Sequence, residues 1–209
     1  MLVAGVDGMR GGWVAVVLRD GRFERAEALI PIETDLDPLD DAEVIAIDIP
    51  IGFGPRAADH EAKRALAGNA STVFLTPSRD VLQTPFRAGL GCSAQAHALG
   101  PRVIHITDLA HSDPRLHEVH PELSFQEMNG GHPLGLRKKS AGGALRRIEL
   151  LAEQGIALGD LGEASPAPLD DVLDAAAAAW SAQRIARGEH RSLPDPPEAR
   201  DGLQVAFRY

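Results

Sequence analysis

The stretch Leu2-Val3-Ala4-Gly5-Val6-Asp7-Gly8-Met9-Arg10-Gly11-Gly12-Trp13-Val14-Ala15-Val16-Val17-Leu18 decides the fold. Leu2 to Gly8 is almost continuously apolar, the mark of a strand covered on both faces, and Asp7 is its last polar residue. Gly8 to Gly12 is a turn by composition and Trp13 to Leu18 a second β-rich run, so the two form a hairpin. Asp20-Gly21, the signal for a two-residue hairpin loop, then sets off a third run over Arg22 to Ile30. The reading is a meander of three antiparallel strands. After an acidic connection at Thr34 to Asp41, Glu43 to Ile51 reads as another buried strand, ended by Pro50 and Gly52, with Asp48 at its carboxyl end.

Further along, Arg56 to Leu66 carries helix formers and meets Gly68, a helix stop. Ser71 to Gly100 mixes prolines and glycines with polar residues and reads as loops and short helices inserted into a sheet protein. Val103 to Thr107 and Leu116 to Pro121 read as short strands, and Leu136 to Gln154 as a helix with Leu145, Ile148, Leu151 and Ala152 at helical spacing. Leu169 to Ala186 is the strongest helix signal. Its alanines have the highest helix propensity, and Asp170, Asp171 and Asp174 complement the positive end of the helix dipole. The tail is proline-rich over Leu193 to Glu198 and ends in a candidate edge strand, Leu203 to Phe207. The expected fold is α/β: a mixed sheet flanked by helices, one domain over residues 1–209, with an inserted region at about 55–115.

Composition bounds the function. At 209 residues, 44% apolar and 24% charged, the chain is an ordinary globular protein with one core. The lone Cys92 cannot bridge internally and suits a reducing cytoplasm; the N-terminus lacks a secretory pattern, and no run is apolar enough to span a membrane. A net charge of -9 argues against coating nucleic acid through the overall field, while leaving room for a locally basic site.

Four acids stand where a buried sheet and a helix would bring them together: Asp7 and Asp48 on hydrophobic strands, Asp171 and Asp174 one turn apart on the late helix. Taken singly, each has a plainer reading as a turn residue, a strand end or a dipole decoration. Together they are costly to bury unless paired or bound to cations. Clustered hard oxygens select Mg²⁺ or Mn²⁺, and two such ions about 4 Å apart can stabilise both the attacking and the leaving oxygen of phosphodiester cleavage.

The order of the Val3-Ala4-Gly5-Val6-Asp7-Gly8 hairpin, Ile45-Ala46-Ile47-Asp48 and Asp171-Val172-Leu173-Asp174-Ala175-Ala176 resembles the ribonuclease-H-like superfamily, in particular its Holliday-junction-resolvase branch. More closely, Gly5-Val6-Asp7-Gly8 with Gly12-Trp13, Ile47-Asp48-Ile49-Pro50-Ile51-Gly52-Phe53, and Glu118-Val119-His120-Pro121-Glu122-Leu123-Ser124-Phe125 resemble domain of unknown function 429, a family of predicted ribonuclease-H-like nucleases. Ser71-Thr72-Val73-Phe74, Thr76-Pro77-Ser78-Arg79, and Lys139 followed by Gly142 extend the likeness along nearly the whole chain; Leu75 stands where that pattern has a proline. The resemblance implies Asp7, Asp48, Asp171 and Asp174 as metal ligands, and adds Glu118 and Glu122, of which we favour Glu118.

His117 and His120 flank Glu118 without forming a zinc signature; His120 is the better candidate for moving a proton. Cys92 has no activating pattern. Arg137, Lys138, Lys139, Arg146 and Arg147 form the densest positive stretch, in which Lys139, with Arg79 elsewhere, is the candidate phosphate binder, and Arg146 and Arg147 read as a solvated helix face. The leading function is a two-metal nuclease acting on nucleic acid, with a homodimer possible in principle. The alternatives are a non-catalytic nucleic-acid or nucleotide-binding module and an actin-like phosphotransferase, which the short chain disfavours because those proteins usually need two such domains.

Overall fold

The computed structural model describes residues 1–30 and 36–209, so Thr34 and Asp35 of the acidic connection lie outside the described residues. A five-stranded sheet organises the chain. It comprises β1 (Leu2–Met9), β2 (Gly12–Arg19), β3 (Arg22–Leu29), β4 (Val44–Ile47) and β5 (Leu116–Glu118), in the order β3-β2-β1-β4-β5. The meander is antiparallel, whereas β4 runs parallel to β1 and β5 parallel to β4. This is the mixed sheet expected from the sequence, a three-strand antiparallel meander joined by parallel strands. Asp20 and Gly21 both take positive φ, 50° and 83°, the conformation that lets two residues close the β2–β3 hairpin.

Between β4 and β5 lie α1 (Ala57–Ala65), α2 (Arg79–Gln83), α3 (Ala94–Ala98) and α4 (Gly100–Ala110). The expectation of a strand at Val103 to Thr107 is corrected here, since those residues are the middle of α4. Pro101 sits in its first turn, and Val103, Ile106 and Thr107 point inward at helical spacing. Their β-branched side chains suit strands, but packing of an apolar helix face outweighs propensity. Similarly, the strand expected to run to Pro121 stops at Glu118. His120 caps a helix, α5 (Pro121–Met128), in which Pro121 occupies the first turn, where its missing N–H costs nothing. The helix expected from Leu136 starts later, as α6 (Ala141–Glu153), capped by the Ser140 hydroxyl accepting from Gly143 N at 3.1 Å.

The late helix is as expected: α7 (Leu169–Arg187), closed by Gly188 in the left-handed conformation. Beyond it, β6 (Ser192–Arg200) and β7 (Leu203–Arg208) pair, among the described residues, only with each other. The C-terminal strand therefore belongs to a separate ribbon, and does not edge the main sheet. Among the described residues no helix is long and apolar enough to cross a membrane.

Strand alternation divides the core in two. Leu2, Ala4 and Val6 of β1, with Ile45 and Ile47 of β4, pack toward Val103 and Ile106 of α4. The opposite face carries Val3 of β1 and Val44 and Ala46 of β4, packed with the alanines of α7. By the same parity Gly5, Asp7 and Asp48 belong to the α7 face. An added Cβ at Gly5 would lie 2.0 Å from Ala179 N and 2.2 Å from Ala175 O, so strand and helix touch backbone to backbone.

Candidate metal centre

The last parallel pair is Val6 with Ile47, and Asp48 N donates to Val6 O at 3.0 Å. One step on, Asp7 and Asp48 stand side by side at the ends of adjacent strands. Helix α7, held close by its alanines, brings Asp174 above them. One carboxylate oxygen from each of the three lies within 4.8 Å of the others. Asp7 and Asp174 are buried and Asp48 half-buried. Asp7 Oδ1 accepts from Gly8 N at 2.6 Å, whereas the buried Oδ1 of Asp174 accepts no hydrogen bond among the described residues. Three clustered carboxylates, one with a buried oxygen left over, make a hard-oxygen donor set, and the residues fit a divalent ion.

Burial raises all three acids. Asp7 is pushed well above its ordinary value by burial, then by the charges of Asp48 and Asp174. Burial and Asp174 push Asp48 up to about 8; burial lifts Asp174 to about 6 against the pull of Lys138. The Lys138 ammonium lies 2.5 Å from Asp174 Oδ2, and its surrounding acids hold it protonated in spite of burial.

These shifts set a pH dependence. In the unfolded chain the aspartates ionise near 3.9. Folded, Asp174 and Asp48 keep protons to about 6 and about 8, so the native state binds more protons across that window and stability falls as pH rises through it. His117, held down to about 4 chiefly by burial, and His120, lowered by burial, act with the opposite sign, but only below their unfolded value of about 6.5. From pH 6.5 to 8 in chelator the melting temperature should fall, at up to about 1.4 kcal/mol per pH unit for one proton. A rising profile over that range would contradict the strained cluster.

A cavity of about 300 Å³ opens over the acids. Its floor is Asp7, Gly8, Asp48 and Asp174, and its walls include Thr72, Phe74, Leu99 and Arg102 from the segment between β4 and β5, with His120, Glu122 and Lys138. The sequence matches the family described as Protein of unknown function (DUF429) over residues 5–199. The chain belongs to this family. No curated protein matches the DUF429 chain in sequence. Among solved structures, it is similar to the Thermus thermophilus RuvC structure at 14% identity and a TM-score of 0.39, over 90% of this chain and 98% of that one.

The remaining expected residues of this DUF429 protein fall into place unevenly. Asp171, at the margin, is outside the triad, although its charge is felt by Asp7. Glu118 does not join the acids: both its oxygens are bound by Arg56, at 2.7 and 2.8 Å, and Oε2 also accepts from Ile51 N at 3.0 Å. Arg56 in turn pairs with buried Asp59, whose Oδ2 accepts from Thr76 N at 2.7 Å. The preference for Glu118 is thus reversed, because it is Glu122, in the first turn of α5, that lines the cavity. Arg147, expected on a solvated face, is buried beneath it and pairs with Glu122 Oε1 at 2.5 Å. Arg146 pairs with Glu149 and Glu153.

Neither expected phosphate binder reaches the cavity. Arg79 pairs with Asp108 at 2.7 Å, and Lys139 is exposed beside Asp170 at 3.4 Å. Lys138, one residue earlier, enters instead, and Arg102, not singled out from sequence, joins it. Arg102 stands just before the segment read as a strand, in the first turn of α4. Its guanidinium stacks 5.2 Å from the Trp13 ring centroid and donates to Met9 O at 2.5 Å and Gly12 O at 3.2 Å. His120 is in the wall, its Nδ1 capping α5 and its Nε2 facing Thr72 O at a long 3.4 Å.

Proposed function

We propose that this protein is a metal-dependent phosphodiesterase, a nuclease that holds Mg²⁺ or Mn²⁺, two ions in the working state, on Asp7, Asp48 and Asp174, with Asp171 and Glu122 at the margin. The observation that carries this reading is the cluster of Asp7, Asp48 and Asp174, one carboxylate oxygen of each within 4.8 Å of the others, with the buried Oδ1 of Asp174 unpartnered among the described residues. When bound, such ions lower the pKa of water and stabilise the oxygens of an in-line displacement. The chain's own groups do the rest: Arg102 orients a phosphate, and His120, kept neutral by burial and accepting from Glu122 N at Nδ1, carries its proton at Nε2 and can donate it once a substrate displaces the Thr72 contact. The partner in this reading is nucleic acid, and the compartment the cytoplasm.

The test is calorimetric titration with Mn²⁺ together with cleavage of single-stranded RNA, RNA–DNA hybrid and branched DNA. Binding at micromolar to sub-millimolar levels with metal-dependent cleavage of one of them supports the proposal. No binding at millimolar Mn²⁺ and no cleavage overturns it.

One observation favours a second reading, a binding module without turnover: the Lys138 ammonium already supplies a positive charge among the acids. The two readings part at Lys138→Met. If the lysine yields its place to an arriving ion, removing it should tighten Mn²⁺ binding by about tenfold, since one charge interaction of about 1.4 kcal/mol no longer competes. If the ammonium is the permanent counter-ion, Lys138→Met should instead lower the melting temperature and still bind no metal.

A further inference from the structure

Resting on the nuclease reading, we infer that the phosphodiester this site takes is of nucleotide size, a dinucleotide or the terminal nucleotide of a single strand, and that duplex and branched nucleic acids are excluded. The first argument is depth. Asp7 and Asp174 are only 8% and 2% exposed, and the segment between β4 and β5 rises over them as a wall. A double helix carries its phosphates on a stiff convex surface that cannot follow into such a recess. A cavity of about 300 Å³ is instead at the lower end of those that enclose small ligands.

The second argument is charge. Duplex binding draws its affinity from several cations that each neutralise a phosphate and release counterions. Around this site four cations are already spent on acids: Arg79 on Asp108, Lys139 on Asp170, Lys138 on Asp174 and Arg147 on Glu122. Among the described residues the cavity is lined by three cations, of which Arg56 and Lys138 are paired with carboxylates, and Arg102 has only backbone carbonyls and the Trp13 ring as partners. Its buried Nε has no partner among the described residues. One available guanidinium and one metal cluster match one phosphate, and the chain's net charge of -9 repels a longer polyanion.

The third argument is the wall itself. Phe74 and Leu99 are apolar, half-buried and turned to the cavity, offering a face on which a single unstacked base can rest. The site therefore combines a phosphate position between Arg102 and the acids with an apolar shelf one nucleoside across.

The experiment reads binding and turnover separately, with Mn²⁺ present. Substrates are a dinucleotide, a single-stranded 20-mer, the duplex of the same sequence and a four-way DNA junction. Expected are release of mononucleotides from the first two, with kcat/KM at least about 100-fold above the duplex. Arg102→Met keeps the apolar stem over Trp13 and removes the charge. It should raise KM for the dinucleotide by about 10- to 100-fold, the span of one charge-assisted hydrogen bond to phosphate, with Mn²⁺ affinity unchanged by calorimetry. Cutting of duplex or junction at a rate equal to or above that of the dinucleotide overturns the inference and leaves the nuclease reading standing. Absence of Mn²⁺ binding removes the nuclease reading. In that case equilibrium binding of a 5′-mononucleotide, measured in wild type and Arg102→Met, still decides the size question: retained Arg102-dependent binding supports a nucleotide-sized site, and tighter binding of the duplex refutes it.

Discussion

Replacing Gly5 by alanine should leave no folded protein to assay. A Cβ at this position would lie 2.0 Å from Ala179 N, 2.2 Å from Ala175 O and 2.6 Å from Ala178 C. All three are backbone atoms of α7, so no side-chain rotation can make room. The helix would have to lift off β1, and with it would go the burial of Ala175, Ala176, Ala178 and Ala179, all completely inaccessible to water. Overpacking of this kind exceeds the usual 1–3 kcal/mol and reaches at least about 4–5 kcal/mol, a large share of the roughly 5–15 kcal/mol that holds a typical domain together. Gly11→Ala is the control. It has φ of 82° and nothing within 4 Å of the added carbon, so only backbone strain of about 1 kcal/mol applies. Circular dichroism melts of both variants decide the matter, and a Gly5→Ala protein melting within a few degrees of wild type would refute the backbone contact.

The second large effect carries two signs at once. Asp7→Asn should abolish metal binding and yet make the metal-free protein more stable at pH 8. Burial and the charges of Asp48 and Asp174 all oppose ionisation of Asp7, so the folded state at pH 8 bears a repulsion that the unfolded chain lacks. Asparagine removes that charge. Its side-chain oxygen can still accept from Gly8 N, the bond Asp7 Oδ1 makes at 2.6 Å, so local structure is kept. Mn²⁺ affinity should drop by at least about 100-fold, more than is lost when groups merely supporting a metal ligand are changed. Any metal-dependent cleavage should fall by about a thousandfold or more. A melting temperature in chelator at pH 8 that rises by a few degrees, beside lost calorimetric heat, separates loss of a ligand from loss of fold. A lower melting temperature with Mn²⁺ binding intact would refute the assignment of Asp7.

How much of this was legible in the sequence depends on whether local pattern or distant packing decided each element. The meander was legible because alternation and the Asp20-Gly21 turn are local signals, and so was α7. The acids Asp7, Asp48 and Asp174 were legible because each interrupts an apolar run. The ribbon of β6 and β7 was not read as a hairpin, although Asp201-Gly202 repeats the Asp20-Gly21 signal with φ of 49° and 82°. Pro194, Pro196 and Pro197 hid it, since proline is compatible only with an unpaired strand edge. The swaps of Glu118 for Glu122 and of Lys139 for Lys138 have a common cause. Whether a charged side chain turns into a cavity or onto Arg56 depends on where a strand ends and a helix begins, and boundaries are weakly encoded. Nor did the alanine run announce its main role. Read as helix propensity, it turned out to be the small-residue surface that sets how near α7 can come.

The Arg56 cluster has a consequence for how this protein can change. Arg56, Asp59 and Glu118 are all fully buried, and together they tie Ile51, the start of α1, Thr76 and the end of β5. Losing any one member leaves the others as uncompensated charges in an apolar interior, which is far costlier than exchanging the whole set for apolar residues of similar volume. Single steps away from this arrangement are therefore closed, and only a concerted replacement is open. The wall of the cavity is free to drift at Phe74 or Leu99, one residue at a time, while its root must be inherited whole.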